Sequence, residues 1–551
     1  MKEFTAAIVT GILLVVSYQF VGIASFIAYV PLLHLLAYGG RRSIAKTCTL
    51  LYVTFFIYHA GTNWWISSWQ EQTDPYLFTS GIVLMVLHPF FLMLPFAIVQ
   101  LITTRIGPLW ALVSAPFVVT AFEWLHGQSD ASYPWLTSGY MLTNTWWGQL
   151  SEFVGVYGIT FIIIAINAAI VYTLAQHPGT RTKKINFVLI GTGIALLAIV
   201  GIILQQQARA LAGTSPEHPP EAPLHVLIVQ PNENPWDKWT AASVQVEKLK
   251  NITDSAISAT PDQLRPTLVV WPETAIPYTI RRPLYSSDWT SLSRWTDSLG
   301  ISLLTGYADY VEYRSGTAPP SARQYTDTPI HYDIFNAAML VGERPGGTIE
   351  VHRKTRLTPF AERLPFADQL TFAMQWIEWG VGISAWGKGT SCVPLKIREG
   401  ANVGVNICIE SIYPEVSREF VRNGASILAV ITNDAWYNGT WGPMQHFRIA
   451  QQRAIETRRS IIRCANSGVS GLISPAGESV HPVSGDVPAE TTSAAVFQVT
   501  PQSALTLYSR TGDILPYTSV VVTILVLVFT RIRTVIRKMQ SISTARTTKP
   551  L

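Results

Sequence analysis

The sequence predicts a polytopic α-helical membrane domain of about eight spans, with an α/β sandwich domain inserted ahead of the last span. Three observations carry this. Apolar residues make up 48% of the 551 positions and fall in long clusters, whereas only 14% are charged. Basic residues recur on alternate loops between those clusters. Residues 224–509 switch to short β-branched runs bounded by turns.

A chain of this length exceeds one ordinary domain. Residues 6–39 contain no Asp, Glu, Lys or Arg over thirty-four positions. One helical crossing takes about 20 residues, so this stretch reads as two helices with a tight turn near residues 19–22. A single tilted helix followed by a re-entrant piece is the alternative. Further spans are expected at 48–67, 77–103, 108–126, 155–175, 186–206 and 515–530. Each can satisfy its own backbone polarity as helix in hydrocarbon, which an open sheet edge cannot. The last is short, and its flanks must complete the crossing.

The net charge of +5 conceals an alternation. Arg41, Arg42 and Lys46 follow the second expected span, Arg105 the fourth, and Arg181, Lys183 and Lys184 the sixth. Arg531, Arg533, Arg537 and Lys538 follow the eighth, while Glu71, Asp74, Asp130 and Glu152 lie in the intervening loops. With eight spans all the basic loops share one side, as the positive-inside rule requires. Both termini are then cytoplasmic and the insert is extracytoplasmic. Short juxtamembrane clusters are not the continuous stripe of a nucleic-acid binder, so no nucleic acid is expected. The first apolar stretch is too long for a signal peptide and is followed by more spans. The expected organisation is a membrane domain at 1–215, a Pro- and Glu-rich linker at 216–223, the α/β domain at 224–509, and a final span with a basic tail at 510–551.

The four cysteines, Cys48, Cys392, Cys408 and Cys464, are too few for a disulfide scaffold. Whether Cys392 and Cys464 pair stays open. No metal-ligand spacing and no nucleotide-binding loop is present, so neither a metal nor a cofactor is expected.

Within the insert, strand-length runs lie at 224–229, 267–270, 301–305, 337–341, 401–407, 427–431 and 459–464. Helical patterns occupy 413–423 and 444–457. This alternation predicts a two-layered α/β unit with buried sheets, in which polar residues at strand ends present the chemistry.

Three such ends stand out. In VVWPETAIP, Glu273 follows a strand, and Trp271 with the flanking prolines restricts water around a carboxylate suited to act as a general base. In HRKTRLTPFAERLPF, Lys354 and Glu362 flank a Pro-Phe turn, and a lysine beside carboxylates can stabilise an oxyanion. In VGVNICIESIYPE, Cys408 ends a strand with Glu410 two residues on, and a nucleophilic thiol needs a base and a dry pocket. Taken singly, an exposed turn glutamate, a solvated ion pair and a core cysteine are the competing readings. A Cys–His pairing through His446 is also possible, although that histidine begins a helix and looks like a capping or packing group.

On these motifs the insert resembles the carbon-nitrogen hydrolase (nitrilase) superfamily, whose reacting residues run Glu, Lys, Cys in this order. With VQPNENPWDKW, IFNAAML, TNDAWYNGTWGPMQH, FEWLHG, YPWLTSGY and QLSEFVGVYGITF, nearly the whole chain resembles the apolipoprotein N-acyltransferase family. The resemblance implies Glu273, Lys354 and Cys408 as catalytic residues and Glu362 and Glu410 as supports. It also implies that Asn336, Trp436, Tyr437 and His446 line the substrate pocket. The implied reaction carries an acyl chain from a phospholipid through a Cys408 thioester to the N-terminal amine of a diacylglyceryl apolipoprotein. The implied setting is a monomer in the bacterial inner membrane, surrounded by lipid. Ile409, Ala361, Tyr437 and Asn438 depart from the usual family residues, but none removes a reactive group. Trp64, Trp65, Trp135, Trp146 and Trp147 are expected as interfacial anchors or as packing at span ends. Tryptophan-bearing loops at 376–386 and 436–441 are expected to cover the site. The rival readings are a membrane-anchored amidase that uses water as acceptor, and a non-catalytic transporter or assembly factor.

Overall fold

A computed structural model describes residues 2–68, 75–177, 179–213, 223–236, 242–314, 316–342, 349–370 and 386–547. All seven apolar stretches are helical. Helices α1 (Lys2–Gln19) and α2 (Val30–Tyr38) divide the first stretch, with the chain broken at Phe20 and Val21 where the tight turn is expected. Next come α3 (Ile44–Asn63), α4 (Pro75–Ile106), α5 (Pro108–Gly127), α6 (Ser151–Leu174), α7 (Arg181–Gly213) and a C-terminal helix, Ile514–Thr547.

Among the described residues, five stretches are long and apolar enough to cross a bilayer by length and composition: Phe78–Ile106, Pro108–Gly127, Trp146–Leu174, Arg181–Leu211 and Ile514–Arg537. The other three expected spans fall short of that measure for visible reasons. Helix α1 opens on Lys2 and Glu3, α2 is nine residues long, and α3 contains Lys46, His59 and Asn63. The chain is thus a multi-pass membrane protein, with five of the eight expected crossings meeting the criterion.

The basic residues gather at one end of the bundle. Arg42 pairs with Glu3, while Arg533 and Arg537 donate to the carbonyls of Ile106 and Arg105 at 3.3 and 3.0 Å. At the other end the loop after α5 meets the insert through Asp130–Lys388 at 2.7 Å, and Glu152 meets Arg458 at 2.5 Å. Glu71 and Asp74 lie outside the described residues, as does the expected linker up to residue 222.

The insert contains two sheets. The first has the order β13-β14-β1-β2-β3-β5-β4, with β6 also paired to β5. Its strands are β1 (Leu224–Gln230), β2 (Leu268–Val270), β3 (Ser302–Tyr313), β4 (Arg323–Gln324), β5 (His331–Val341), β6 (Glu350–Arg353), β13 (Ser484–Asp486) and β14 (Ser493–Val499). The second sheet runs β12-β11-β10-β9-β8-β7. It comprises β7 (Leu395–Arg398), β8 (Ala401–Ile407), β9 (Ile427–Thr432), β10 (Ile461–Ala465), β11 (Gly471–Ile473) and β12 (Ser479–Val480).

Val226, Ile228 and Leu304 from one sheet and Val405, Ala429 and Ile462 from the other form the apolar layer between them. Strands β1, β8 and β9 are apolar almost throughout because both their faces are covered. Helices α8 (Ala242–Ala259) and α9 (Ser286–Leu299) cover the first sheet, where Leu249 and Leu292 meet Leu227 and Leu303. Helices α10 (Pro414–Arg422) and α11 (Gly442–Thr457) cover the second. The expected two layers are therefore two sheets, each with its own helical layer outside. On the α11 side the core is continuous with the bundle: Phe420, Ile449 and Val430 share one cluster with Trp135, Ile159 and Leu142.

Two local features tie the halves together. The left-handed φ of +65° at Gly155 kinks α6 and frees the Val156 amide, which donates to Glu456 of α11 at 2.7 Å. Between the sheets, the buried Cys464 thiol of β10 lies 3.3 and 3.2 Å from the carbonyls of Val229 and Val270 in the opposite sheet. All four cysteines are free, so Cys392 and Cys464 are unpaired with each other.

Candidate active site

The three predicted strand ends converge. Glu273 lies in the turn after β2, with Thr274 at a φ of +48°. That turn rests on Gly306 of β3, where a Cβ would come within 2.4 Å of the Thr274 nitrogen, so only glycine lets the two backbones approach. Lys354 follows β6 and is anchored by backbone bonds, its amide to Asn336 and its carbonyl from Gly389, each at 2.8 Å. Cys408 follows β8 with a φ of +52°.

Lys354 is 1% exposed and donates to Glu273 Oε1 at 3.1 Å and to Glu362 Oε1 at 2.9 Å. Asn336 Nδ2 donates to the same two oxygens at 2.8 and 2.9 Å. The Thr358 amide donates to the remaining Glu362 oxygen at 2.7 Å. The ammonium and the amide thus cross-link the two carboxylates. Burial opposes the charge on Lys354, but Glu273 and Glu362 outweigh it and hold the ammonium well above its ordinary range. Glu362 shows the converse: burial raises its pKa, and Lys354 with the Thr358 amide brings it below the usual value.

Cys408 is half-buried at its surface. Burial, and then the charge of Glu273, push its thiol up to about 12, with Lys354 acting in the opposite sense. At rest the sulfur therefore carries its proton.

Glu410 is 0% exposed and its bonds are fully committed. Oε1 accepts from the Thr355 amide at 2.7 Å and hydroxyl at 2.6 Å. Oε2 accepts from the Ile407 amide at 2.8 Å and lies 3.1 Å from His352 Nε2. Against the cost of burial, His352 and these donors hold its pKa below the ordinary value. Glu410 clamps the segment after Lys354 to the strand before Cys408.

The model of the carbon-nitrogen hydrolase family matches residues 226–496, and that of the apolipoprotein N-acyltransferase N-terminal domain matches residues 10–169. An apolipoprotein N-acyltransferase of Chlorobaculum tepidum is 29% identical over 539 residues, 94% of each chain. One of Brucella suis is 30% identical over 434 residues, 77% of this chain and 74% of that one. This chain belongs to the apolipoprotein N-acyltransferase family. Nit3 of Saccharomyces cerevisiae, a member of the nitrilase superfamily, is a similar solved structure at 18% identity and a TM-score of 0.37, covering 52% of this chain and 93% of its own.

In this acyltransferase-family chain the other expected pocket residues take varied places. Asn336 lies inside the carboxylate cluster. Trp436 packs edge-on against Trp236 at 4.9 Å, and Tyr437 against Trp65 of the membrane half at 4.7 Å. His446 lies behind Cys408, with Nε2 2.8 Å from Ser411 Oγ and 3.2 Å from the Cys408 carbonyl.

The 436–441 loop packs on the membrane half, with Trp441 against Phe20 and Trp64 at 5.6 and 6.1 Å. The 376–386 loop lies outside the described residues except for Trp386. Of the five expected anchors, Trp65, Trp135 and Trp147 are buried as packing residues, whereas Trp64 and Trp146 are exposed. His352, Thr355 and Ser411 were not singled out by sequence. They act through contacts with residues distant in the chain or through the backbone, and no motif marks them.

Proposed function

We propose that the protein transfers an acyl chain from a phospholipid to the N-terminal amine of a diacylglyceryl-cysteine apolipoprotein through a thioester on Cys408. Glu273 takes the Sγ proton as the sulfur attacks the ester carbonyl. Lys354 and neighbouring amides stabilise the tetrahedral oxyanion. As that intermediate collapses, the carbon–oxygen bond breaks, Glu273 returns the proton to the leaving oxygen, and a lysophospholipid departs.

The apolipoprotein amine then attacks the thioester and gives a proton to Glu273. The carbon–sulfur bond breaks, the amide leaves, and the proton returns to sulfur. Glu362 holds Lys354 in place, while Glu410 positions the segments that carry Lys354 and Cys408. No cofactor enters these steps.

The observation that carries this reading is the pair of bonds from Lys354 Nζ to Glu273 and Glu362 beside a thiol whose proton is held by burial. Membership of the acyltransferase family supports this substrate class. Each buried methylene is worth about 0.8 kcal/mol, so both substrates stay in the bilayer, and a membrane half joined to the catalytic half spares their extraction. We further propose eight crossings, with both termini cytoplasmic and residues 224–509 as the extracytoplasmic catalytic domain. The shared basic end of the bundle supports this topology.

Intact-mass analysis after incubation with phospholipid tests the chemistry. The expected result is a gain of one acyl chain mapped to Cys408 and lost in Cys408→Ala. Added diacylated lipopeptide should then discharge the adduct into an amide. Release of free fatty acid alone would favour the amidase reading instead.

A further inference from the structure

The left-handed backbone at Cys408 is costly for a residue with a side chain and persists only where its surroundings fix it. Its carbonyl is the fixed point. Ser411 Oγ donates to it at 3.0 Å, and His446 Nε2 lies 3.2 Å away. Ser411 and His446 are themselves 2.8 Å apart. The other ring nitrogen of His446 is 3.0 Å from Asp434 Oδ1, and Asp434 Oδ2 pairs with the buried Arg463.

The neighbouring residue, Gln445, bonds to the membrane half, whose Trp135 ring also lies 5.5 Å from the His446 ring. Gln445 Oε1 accepts from Trp65 Nε1 at 3.1 Å and from Trp135 Nε1 at 2.7 Å, and its Nε2 donates to the Thr62 carbonyl at 2.8 Å. All three partners belong to the membrane half. Gln445 is 2% and His446 3% exposed, so neither bond set is shared with bulk water. The two residues are the fourth and fifth of α11, where adjacent side chains leave one rigid backbone in different directions. Loss of the Gln445 bonds leaves two buried indole N–H groups without an acceptor, so this contact favours being fully made or fully open.

We propose that Gln445 and His446 are positioning residues through which the seating of the membrane half sets the backbone at Cys408. In this arrangement the sulfur is aimed correctly only when the Thr62–Trp65 segment and Trp135 are docked on α11. The inference rests on the reading of Cys408 as nucleophile.

The test uses the full chain in detergent with phosphatidylethanolamine–phosphatidylglycerol mixed micelles. The rate of Cys408 acylation is followed by intact mass at varied lipid. Gln445→Met and His446→Asn are each expected to lower the saturating rate about tenfold, with the half-saturating lipid unchanged to within about twofold. The double variant should be no more than about twofold slower than the slower single one, because both changes break one linkage. Multiplicative losses, a shift confined to half-saturation, or an unchanged Gln445→Met rate would overturn the proposal.

If Gln445→Met does not fold, Trp135→Phe keeps an aromatic ring there, a smaller one, and removes the Nε1 donor to Gln445. It should give a smaller fall in the same saturating rate, and a wild-type rate there would overturn the proposal as well. Failure of the wild-type protein to acylate at all would instead sink the thioester reading.

Discussion

At the scale of single residues, the thiol and its neighbours make opposed predictions that separate charge from catalysis. Glu273 is both the proposed base and a negative charge that raises the Cys408 pKa. Glu273→Gln should therefore slow acylation by about 10²–10⁴-fold, while alkylation of Cys408 by iodoacetamide becomes faster at mildly alkaline pH. A parallel loss of both rates would show that the glutamate only shapes the pocket.

Glu362 and Glu410 carry a pH consequence. Both have folded-state values below the ordinary one. Their stabilisation is complete above the ordinary glutamate range and is lost as pH falls through the depressed values. Thermal unfolding should show an acid-side decline beginning near the ordinary range, shallower in Glu410→Gln. Because His352 and the Ile407 amide are buried, Glu410→Ala should cost about 3–5 kcal/mol, read as a shift in the unfolding midpoint of the detergent-solubilised protein.

At the scale of elements, strand ends decide where the chemistry falls, and small changes under them should be felt. Gly306→Ala would drive a methyl into the Thr274 nitrogen. The expected cost is about 1–3 kcal/mol, with acylation falling further than abundance because the Glu273 turn must move. Equal loss of activity and abundance would argue against that link.

This is also the scale at which the sequence was most legible. Glu273, Lys354 and Cys408 stood out as candidates because Glu273 and Cys408 each follow a short apolar run and all three precede a proline, a pattern visible within ten residues. The helices of the bundle were legible because uninterrupted apolar runs have few alternatives. Glu410 was visible as a neighbour of Cys408, but its task was not, since Thr355 and His352 lie 55 and 58 positions away. Gln445 gave no signal at all, because its partners Trp65 and Trp135 are separated from it by 380 and 310 positions. The same separation explains why Trp65 and Trp135 resembled interfacial anchors: hydropathy cannot reveal that a folded insert covers them.

At the scale of the whole molecule, charge sorting sets the expected orientation. A reporter fused after residue 551 should be active only in the cytoplasm, and one inserted near residue 316, in an exposed stretch of the insert, only outside it. The reverse pattern would invert the proposed topology.

Helix α7 adds a different consequence. Its 33 residues extend about 50 Å at 1.5 Å per residue, well beyond the roughly 30 Å of hydrocarbon. Near its end Gln205 and Arg209 grip Glu478 of the insert. The same rigid rod is thus immersed in lipid at one end and bolted to the enzyme at the other. Mismatch between such a rod and its solvent is relieved by tilting, at fractions of a kcal/mol per Å. Changing bilayer thickness should therefore lean the catalytic half as well as alter the proposed acyl donors, making the membrane a mechanical setting for the protein as well as the proposed source of its substrate.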